Sequence, residues 1–264
     1  MTQAKISADR FGPWALVTGA SSGIGREFAR QLAASGLHVV LAARRTDALA
    51  ELGAEIESRY GVRHLAVTVD LSEASGPDRL AEATSSLDVG LLVSNAGDLT
   101  PGEFLSLDLR HSIDSLQLNA YSHLVLARVF GRRLADRGRG GVVLVGAAGA
   151  EHGIPWLAAH AAAKAYTNTL GRGLHAEFAA RGVTVTVLAP GPTRTELQSR
   201  RSLPDSVGMT AADCVSRALR ALEAGRAMVI PGVVARVMNR LPASVTRRIA
   251  GRTMAAAAAQ ESAR

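Results

Sequence analysis

The sequence predicts an α/β fold, in which a parallel β-sheet carries helices on both faces. Short β-branched apolar runs alternate with longer helical patterns at fairly even spacing, which is typical of repeated βαβ units. These runs are apolar along their whole length, as strands of a sheet covered on both faces are. A chain of 264 residues, 47% of them hydrophobic, is long enough for one domain with a full core. We therefore expect residues 1–264 to form a single domain.

Seven apolar runs are predicted as strands. They lie at residues 15–18, 39–42, 65–69, 91–93, 142–145, 183–188 and 228–230. Helical patterns lie between them, the longest near residues 113–133 and 155–180. Because seven strands and six connections occupy the chain up to about residue 230, a second domain is not expected.

The first strand runs directly into a glycine-rich turn that precedes a helix. The residues of this turn that we predict to contact a ligand are Thr18, Gly19, Ser21, Ser22, Gly23, Ile24 and Gly25. Glycine allows a tight turn and a close approach of the backbone to a pyrophosphate, and the helix N-terminus offers N–H groups to the phosphates. A structural turn without a ligand is the alternative. The position at a strand–helix junction, with a matching second strand, favours a dinucleotide site.

The second strand ends at two arginines, Arg44 and Arg45. An acidic residue at this place would bind the ribose 2′-hydroxyl of NAD, whereas arginine can bind a 2′-phosphate. The sequence therefore predicts NADP(H) rather than NAD(H). The alternative is that both arginines only begin the next helix in solvent.

The net charge of +7 belongs to one end of the chain. Residues 1–199 hold 19 basic and 19 acidic residues, whereas residues 200–264 hold 11 arginines and 4 acidic residues. Nucleic-acid binding is not expected, because the charge is confined to the tail and no aromatic residues are interleaved with it.

Residues 233–264 are predicted to form a basic helical C-terminal extension. Val233 and Val237 share one helical stripe, and Arg236 and Arg240 share another. A basic amphipathic helix can lie on an anionic membrane surface. We favour packing over the substrate cleft or against a second subunit, since the apolar stripe is narrow and lacks aromatic residues.

Other features predict a cytoplasmic protein. No stretch approaches the roughly 20 apolar residues that span a bilayer, and the first eleven residues lack an apolar signal region. The single cysteine, Cys214, permits no internal disulfide and fits a reducing compartment. No Cys/His cluster has metal-ligand spacing, so no metal site is expected.

With these motifs in view, residues 12–232 resemble the short-chain dehydrogenase/reductase family. The glycine turn is similar to the family's TGxxxGxG turn, and residues 94–97, Ser-Asn-Ala-Gly, are similar to its NNAG motif. The resemblance implies a Rossmann-type, doubly wound, seven-stranded parallel sheet with helices on both faces. It also implies further cofactor-binding residues. These are Asp70, Leu71, Asn95, Ala96, Gly97, Lys164, Pro190, Gly191, Thr193 and Thr195.

The chain departs from the family at the residues that carry its chemistry. The family has a serine after the fifth strand and, thirteen residues later, the tyrosine of a YxxxK pair. Here Lys164 aligns with the lysine, which places His160 at the tyrosine and Ala147 at the serine. The other candidate tyrosines do not precede a lysine at this spacing. They are Tyr60, Tyr121 and Tyr166.

This departure leaves a non-standard site of Asn119, His160 and Lys164, in which Asn119 matches the family's relay asparagine. Loss of one oxyanion donor, as at Ala147, typically lowers a rate about 10²–10³-fold. Histidine, with an ordinary pKa near 6.5, can transfer protons at neutral pH. The Lys164 cation would keep His160 neutral. The alternative is that His160 only fills the vacated space.

The loop after Ala147 holds the candidate substrate residues. Glu151, His152 and Trp156 follow Ala147 in a segment that borders the substrate in the family. His123 lies one helical turn after Asn119 and is equally explained as a core histidine.

We expect an NADP(H)-dependent oxidoreductase that acts on a carbonyl, an imine or an activated double bond of a small molecule. A non-redox dehydratase, isomerase or cyclase using His160 as acid and base is one alternative, and a non-catalytic NADP(H)-binding protein is another. The resemblance also implies a homo-oligomer, dimer or tetramer.

Overall fold

The computed structural model describes residues 6–194 and 208–262. Its strands are β1 (Trp14–Thr18), β2 (His38–Ala43), β3 (His64–Thr68), β4 (Val89–Ser94), β5 (Gly140–Val145), β6 (Val183–Leu188), β7 (Thr193–Arg194), β8 (Met209–Thr210) and β9 (Met228–Val229). Its helices are α1 (Ala8–Phe11), α2 (Gly23–Ala34), α3 (Thr46–Tyr60), α4 (Gly76–Ala83), α5 (Leu109–Leu116), α6 (Ser122–Arg137), α7 (Ala158–Ala179), α8 (Ala211–Glu223), α9 (Val233–Arg240) and α10 (Ala243–Ser262). A π-helical turn (Gln117–Tyr121) joins α5 to α6, and a 3₁₀ turn (Ala150–His152) precedes α7.

Seven strands form one parallel sheet in the order β3-β2-β1-β4-β5-β6-β9. From the central pair β1 and β4 the chain winds outwards in both directions, which confirms the doubly wound prediction. In such sheets ligands bind at the carboxyl ends of the strands, at the point where the winding direction reverses. Here that point is the gap between the ends of β1 and β4.

Helices cover both faces of the sheet, as predicted. On one face Phe28 of α2, Ile56 of α3 and Leu219 of α8 are buried in one apolar cluster. On the other face Leu80 of α4 and Phe130 of α6 are buried in a second cluster. The two clusters hold the sheet between them, so its carboxyl edge is a rigid platform for the loops that follow the strands.

The structure corrects three details of the sequence prediction. The expectation of burial on both faces is wrong for β3, which lies at the edge of the sheet and has Leu65 and Val67 only partly buried. The helix expected from residue 113 begins at Leu109, because Asp108 caps it by accepting from two backbone N–H groups. The helix expected from residue 155 begins at Ala158, since Trp156 has a left-handed φ of 66°.

The C-terminal helices lie against the loops that follow β5 and β6. The backbone N–H of Gly149 donates to Oδ1 of Asn239 on α9 at 3.0 Å. Gly191 faces Ala235 so closely that a Cβ at Gly191 would lie 2.7 Å from the Ala235 methyl. These contacts join the extension to the two loops, and its packing over a substrate cleft or against a second subunit stays a prediction. Within residues 6–194 and 208–262 no helix has both the length and the apolar character that crossing a membrane requires.

Candidate active site

The glycine turn lies at the carboxyl end of β1 and leads into α2. Gly19 and Gly23 have φ of 66° and 53°, a region that side chains other than glycine rarely adopt. A Cβ at Gly25 would lie 2.2 Å from the carbonyl oxygen of Gly19 and 2.6 Å from Nδ2 of Asn95. The turn is therefore as tight as a pyrophosphate site requires.

The N-terminus of α2 is open to an anion. Its N-cap, Ser22, makes no side-chain capping hydrogen bond, and the first turn contains no acidic residue. The positive end of the helix dipole and its first N–H groups therefore remain for a negatively charged ligand. Ile24 packs against the core and anchors the same turn.

Thr18 and Asn95 tie the ends of β1 and β4 together. The Thr18 hydroxyl accepts from the N–H groups of Asn95 and Ala96, both at 2.9 Å, and Nδ2 of Asn95 donates to the Thr18 carbonyl at 2.9 Å. These polar groups are thus engaged within the protein. These hydrogen bonds hold the turn in shape. The predicted contact of the same residues with the cofactor stays a prediction.

Arg44 and Arg45 directly follow the carboxyl end of β2. Arg45 reaches back to the glycine turn and donates to the carbonyl oxygen of Ser21 at 2.9 Å. Arg44 is 67% exposed and lies 3.7 Å from Asp70. The Arg45 guanidinium therefore lies against the glycine turn, and the Arg44 guanidinium lies beside Asp70.

Asp70 follows β3 and is an ionised acceptor. Its Oδ1 accepts from the N–H and the hydroxyl of Ser72 at 2.9 and 2.7 Å. Partial burial raises the pKa of Asp70, but the Ser72 hydrogen bonds and Arg44 outweigh it and leave the pKa below its usual range. An open cleft of about 560 Å³ borders Asp70, Arg44 and Thr68, and the neighbouring Leu71 is buried.

Lys164 is buried beside the carboxyl end of β5. Its Nζ donates to the carbonyl oxygen of Val145 at 2.8 Å, and the residue is 5% exposed. Burial lowers the pKa of Lys164 to about 8, and the carboxylate of Asp98 opposes part of that fall. Gly97 lies beside it, since a Cβ there would lie 3.2 Å from Nζ and 2.7 Å from Oδ1 of Asn119.

Asn119 lies in the π-helical turn, fully buried. Its Nδ2 donates to the carbonyl oxygen of Ser115 at 3.0 Å and to the carboxylate of Asp98. Among the described residues nothing hydrogen-bonds to its Oδ1. π-Helical turns occur frequently at functional sites, and this one brings Asn119 and Lys164 to the same glycine.

His160 lies on α7 one helical turn before Lys164, so both project from one face of the helix. His160 is half-buried and lines a small cavity of about 40 Å³ together with His111, Ser115 and Trp156. Ala147 lies in the loop after β5 and has no polar side-chain atom. Asn119 and Lys164 therefore meet at Gly97, and His160 lies one helical turn from Lys164 on α7.

The candidate substrate residues lie in different surroundings. Trp156 is 40% exposed and lines the cavity beside His160. Glu151 is turned toward α7, where it accepts from Nδ2 of Asn168 at 3.0 Å and lies 3.8 Å from Arg172. His152 is half-buried, and nothing in the described part of the chain hydrogen-bonds to its Nε2.

His123 is a core histidine in this structure. It is fully buried, and its Nδ1 lies 2.8 Å from the hydroxyl of Ser94. Burial and the nearby Lys164 cation hold its pKa well below the usual range, so the ring is neutral. Ser94 replaces the first asparagine of the family motif and gives this ring its partner.

The loop after β6 contacts the loop after β5. The carbonyl oxygen of Pro190 accepts from the N–H of Ala148 at 3.0 Å. The Thr193 hydroxyl donates to the carbonyl oxygen of Gly191 at 3.0 Å. Thr195, which the resemblance also assigned to the cofactor, lies outside the described residues.

Asp98 is the site residue that the sequence analysis missed. It directly follows Gly97, and its carboxylate accepts from the Ser115 hydroxyl at 2.8 Å as well as from Asn119. The signal that could have indicated it is an acidic residue directly after the Ser-Asn-Ala-Gly motif that begins at the end of β4. For metals, no group of three or more His, Cys, Asp or Glu side chains within residues 6–194 and 208–262 is arranged to bind an ion.

Comparisons with known proteins identify the family. The family model described as short chain dehydrogenase matches residues 13–205. The chain is 31% identical over 191 residues to a very-long-chain 3-oxoacyl-CoA reductase of Anas platyrhynchos, covering 70% of this chain and 61% of that protein. The chain thus spans about three fifths of that relative's length.

Two solved structures share the fold. A 7β-hydroxysteroid dehydrogenase matches with a TM-score of 0.86 and 25% identity, over 92% of this chain and 98% of that one. A short-chain dehydrogenase of Sphingobium yanoikuyae in complex with NADPH matches with a TM-score of 0.79 and 28% identity, over 86% and 91%. The chain described here belongs to the short-chain dehydrogenase/reductase family.

Proposed function

We propose that this protein is an NADP(H)-dependent oxidoreductase that acts on a carbonyl, an imine or an activated double bond of a small molecule. The observation that carries the proposal is the buried Lys164. It lies beside Gly97 and Asn119 and one helical turn from His160, at the same edge of the sheet as the glycine turn. A buried ammonium is unfavourable unless it serves a site.

The residues of the cleft fit a phosphorylated dinucleotide. The tight turn at Gly25 and the open N-terminus of α2 suit a pyrophosphate. Arg44 and Arg45 stand where a ribose 2′-phosphate would lie, which supports NADP(H) rather than NAD(H). The similar Sphingobium yanoikuyae protein binds NADPH. When bound, this cofactor supplies or accepts a hydride.

We propose that His160 transfers the proton to and from the substrate oxygen. A neutral imidazole can accept the proton of an alcohol during oxidation and return it to the oxygen during reduction. Lys164 carries a positive charge below about pH 8 and lies one helical turn from His160 on α7. Ala147 contributes no hydrogen bond to the substrate oxygen.

The walls of the small cavity suit an apolar substrate. Trp156, Phe104 and Leu107 line it beside His160. The 7β-hydroxysteroid dehydrogenase that shares this fold is named for a largely apolar substrate. We therefore place the apolar body of the substrate between the loop before α5 and the start of α7.

A binding and turnover experiment tests the proposal. NADPH and NADH are titrated by fluorescence, and NADPH absorbance is then followed with a panel of ketones, imines and enones. Hydride exchange that His160→Ala abolishes supports the proposal. Turnover without a change in absorbance would indicate a non-redox acid–base enzyme, and tight NADPH binding with no turnover would indicate a binding protein.

We also propose that the chain forms a homo-oligomer through α5, α6 and α7. Four large side chains on these helices are each 39–52% exposed. They are Ile113 and Leu116 on α5, Leu124 on α6 and Tyr166 on α7. Apolar side chains repeated along neighbouring helices are typical of an interface. Leu124→Glu should dissociate the oligomer, as measured by light scattering after gel filtration, and a monomeric wild type would contradict this assignment.

A further inference from the structure

Asp98 bridges two elements at the inner end of the site. It follows Gly97 in the segment after β4, and its side chain is 28% exposed. Its Oδ1 accepts from the hydroxyl of Ser115 on α5 at 2.8 Å, and also from the amide of Asn119 in the π-helical turn. One carboxylate oxygen therefore fixes the loop after β4 to the helix that carries Asn119.

These contacts decide which atom of Asn119 faces Lys164. The amide nitrogen is turned to Asp98 and to the carbonyl oxygen of Ser115, the latter at 3.0 Å. The oxygen of the Asn119 amide must then point the other way, toward Gly97. A Cβ added at Gly97 would lie 2.7 Å from this oxygen and 3.2 Å from Nζ of Lys164. Among the described residues this oxygen has no hydrogen-bond partner, and it lies near Gly97, as the buried Lys164 ammonium does.

The charge of Lys164 needs a nearby anion. His160, one turn earlier on α7, can be neutral or positive but never negative. His123 on α6 is neutral. The group on β5 that Nζ of Lys164 contacts is the uncharged carbonyl of Val145. The carboxylate of Asp98, whose Oδ2 also lies 4.0 Å from Nε2 of His111 on α5, is the charge that favours protonated Lys164.

We propose that Asp98 is a positioning residue of this active site, whose carboxylate orients Asn119 and places a negative charge near the Lys164 ammonium. Its effect on catalysis rests on the proposed function. Its effect on Lys164 does not, because the charge of an amine can be measured without turnover.

The lysine content of the chain makes the measurement simple. Lys5 and Lys164 are the only lysines, so protein labelled with ¹³C-lysine gives two side-chain signals, and Lys5→Arg assigns them. The pH dependence of the ¹³Cε shift reports each amine directly. In the wild type we expect a midpoint of about 8 for Lys164.

Asp98→Asn removes the charge and retains the size and the accepting oxygen. The Lys164 midpoint should fall by about one unit, and the high-pH limb of any NADPH-dependent activity should move with it. Asp98→Glu should return most of this shift. Glu103→Gln, which removes a carboxylate from an exposed residue of the same segment, should leave the Lys164 midpoint unchanged.

An unchanged Lys164 midpoint in folded Asp98→Asn overturns the proposal, even if activity is lost. If Asp98→Asn does not fold, the exchange variant Asp98→Asn with Asn119→Asp keeps one amide and one carboxylate in contact. It should hold the Lys164 midpoint at or above that of the wild type, and a lower midpoint overturns the proposal. Absence of redox turnover in the wild type contradicts the proposed function instead and leaves these titrations readable.

Discussion

Replacing Gly25 by alanine tests the cofactor cradle most directly. The added Cβ would lie 2.2 Å from the carbonyl oxygen of Gly19, more than an ångström inside the 3.4 Å of an ordinary contact. That neighbour is backbone, so the turn itself must move. Overpacking of this kind destabilises a fold by about 1–3 kcal/mol, and a displacement of about 1 Å at a site can lower its efficiency about 10²-fold.

We expect Gly25→Ala to raise the dissociation constant for NADPH about 100-fold, or about 2.7 kcal/mol. NADPH fluorescence titration measures this change, and thermal unfolding measures stability. Gly173→Ala is the matched control, because nothing lies within 4 Å of a Cβ at this exposed position on α7. NADPH binding within twofold of the wild type in Gly25→Ala, together with wild-type binding in the control, would refute the argument.

Three further predictions concern specificity, charge and chemistry. Arg44→Ala should weaken NADPH binding about tenfold, as expected for loss of one phosphate contact worth about 1.4 kcal/mol. NADH binding should stay unchanged, and an equal loss for both nucleotides would place Arg44 outside the 2′-phosphate site. The pKa of Lys164 is lowered from 10.5 to about 8, so the unfolded chain binds more protons between these values and the free energy of unfolding should rise with pH across this window. Denaturant melts of wild type and Lys164→Met measure that slope, and an equal slope in both would show that Lys164 does not titrate as described. Ala147→Ser combined with His160→Tyr should raise NADPH-dependent ketone reduction by at least about 10²-fold; no gain in a variant that still binds NADPH would mean that the substrate pocket itself has changed.

The fold was predictable from local patterns. A strand buried between two layers must be apolar on both sides, and a glycine turn between strand and helix admits few other structures, so the order of elements follows from the sequence. Element ends were less predictable. The start of α7 depends on the left-handed backbone at Trp156, which its residue type does not indicate, because non-glycine residues rarely adopt that conformation.

Part of the candidate site was also visible in the sequence. Gly25, Arg44 and Lys164 stand out because each type serves a chemical need at a defined distance from a strand end. Glu151 shows the limit of this reasoning. Its place in the loop after β5 suggested the substrate, and the folded chain turns it to Asn168 and Arg172 on α7.

The sequence by itself therefore determined the fold class. It also predicted the glycine turn as a nucleotide site and Ala147 and His160 as altered catalytic positions, which stay predictions. Only the tertiary structure decided that Asp98 holds Asn119 and that Lys164 is buried beside them. The physical reason is that a residue's neighbours in the chain set its backbone conformation and pattern of burial. Its hydrogen-bond partners and the charges near it come from segments that the sheet brings together. Here these segments are the loop after β4, the π-helical turn and α7.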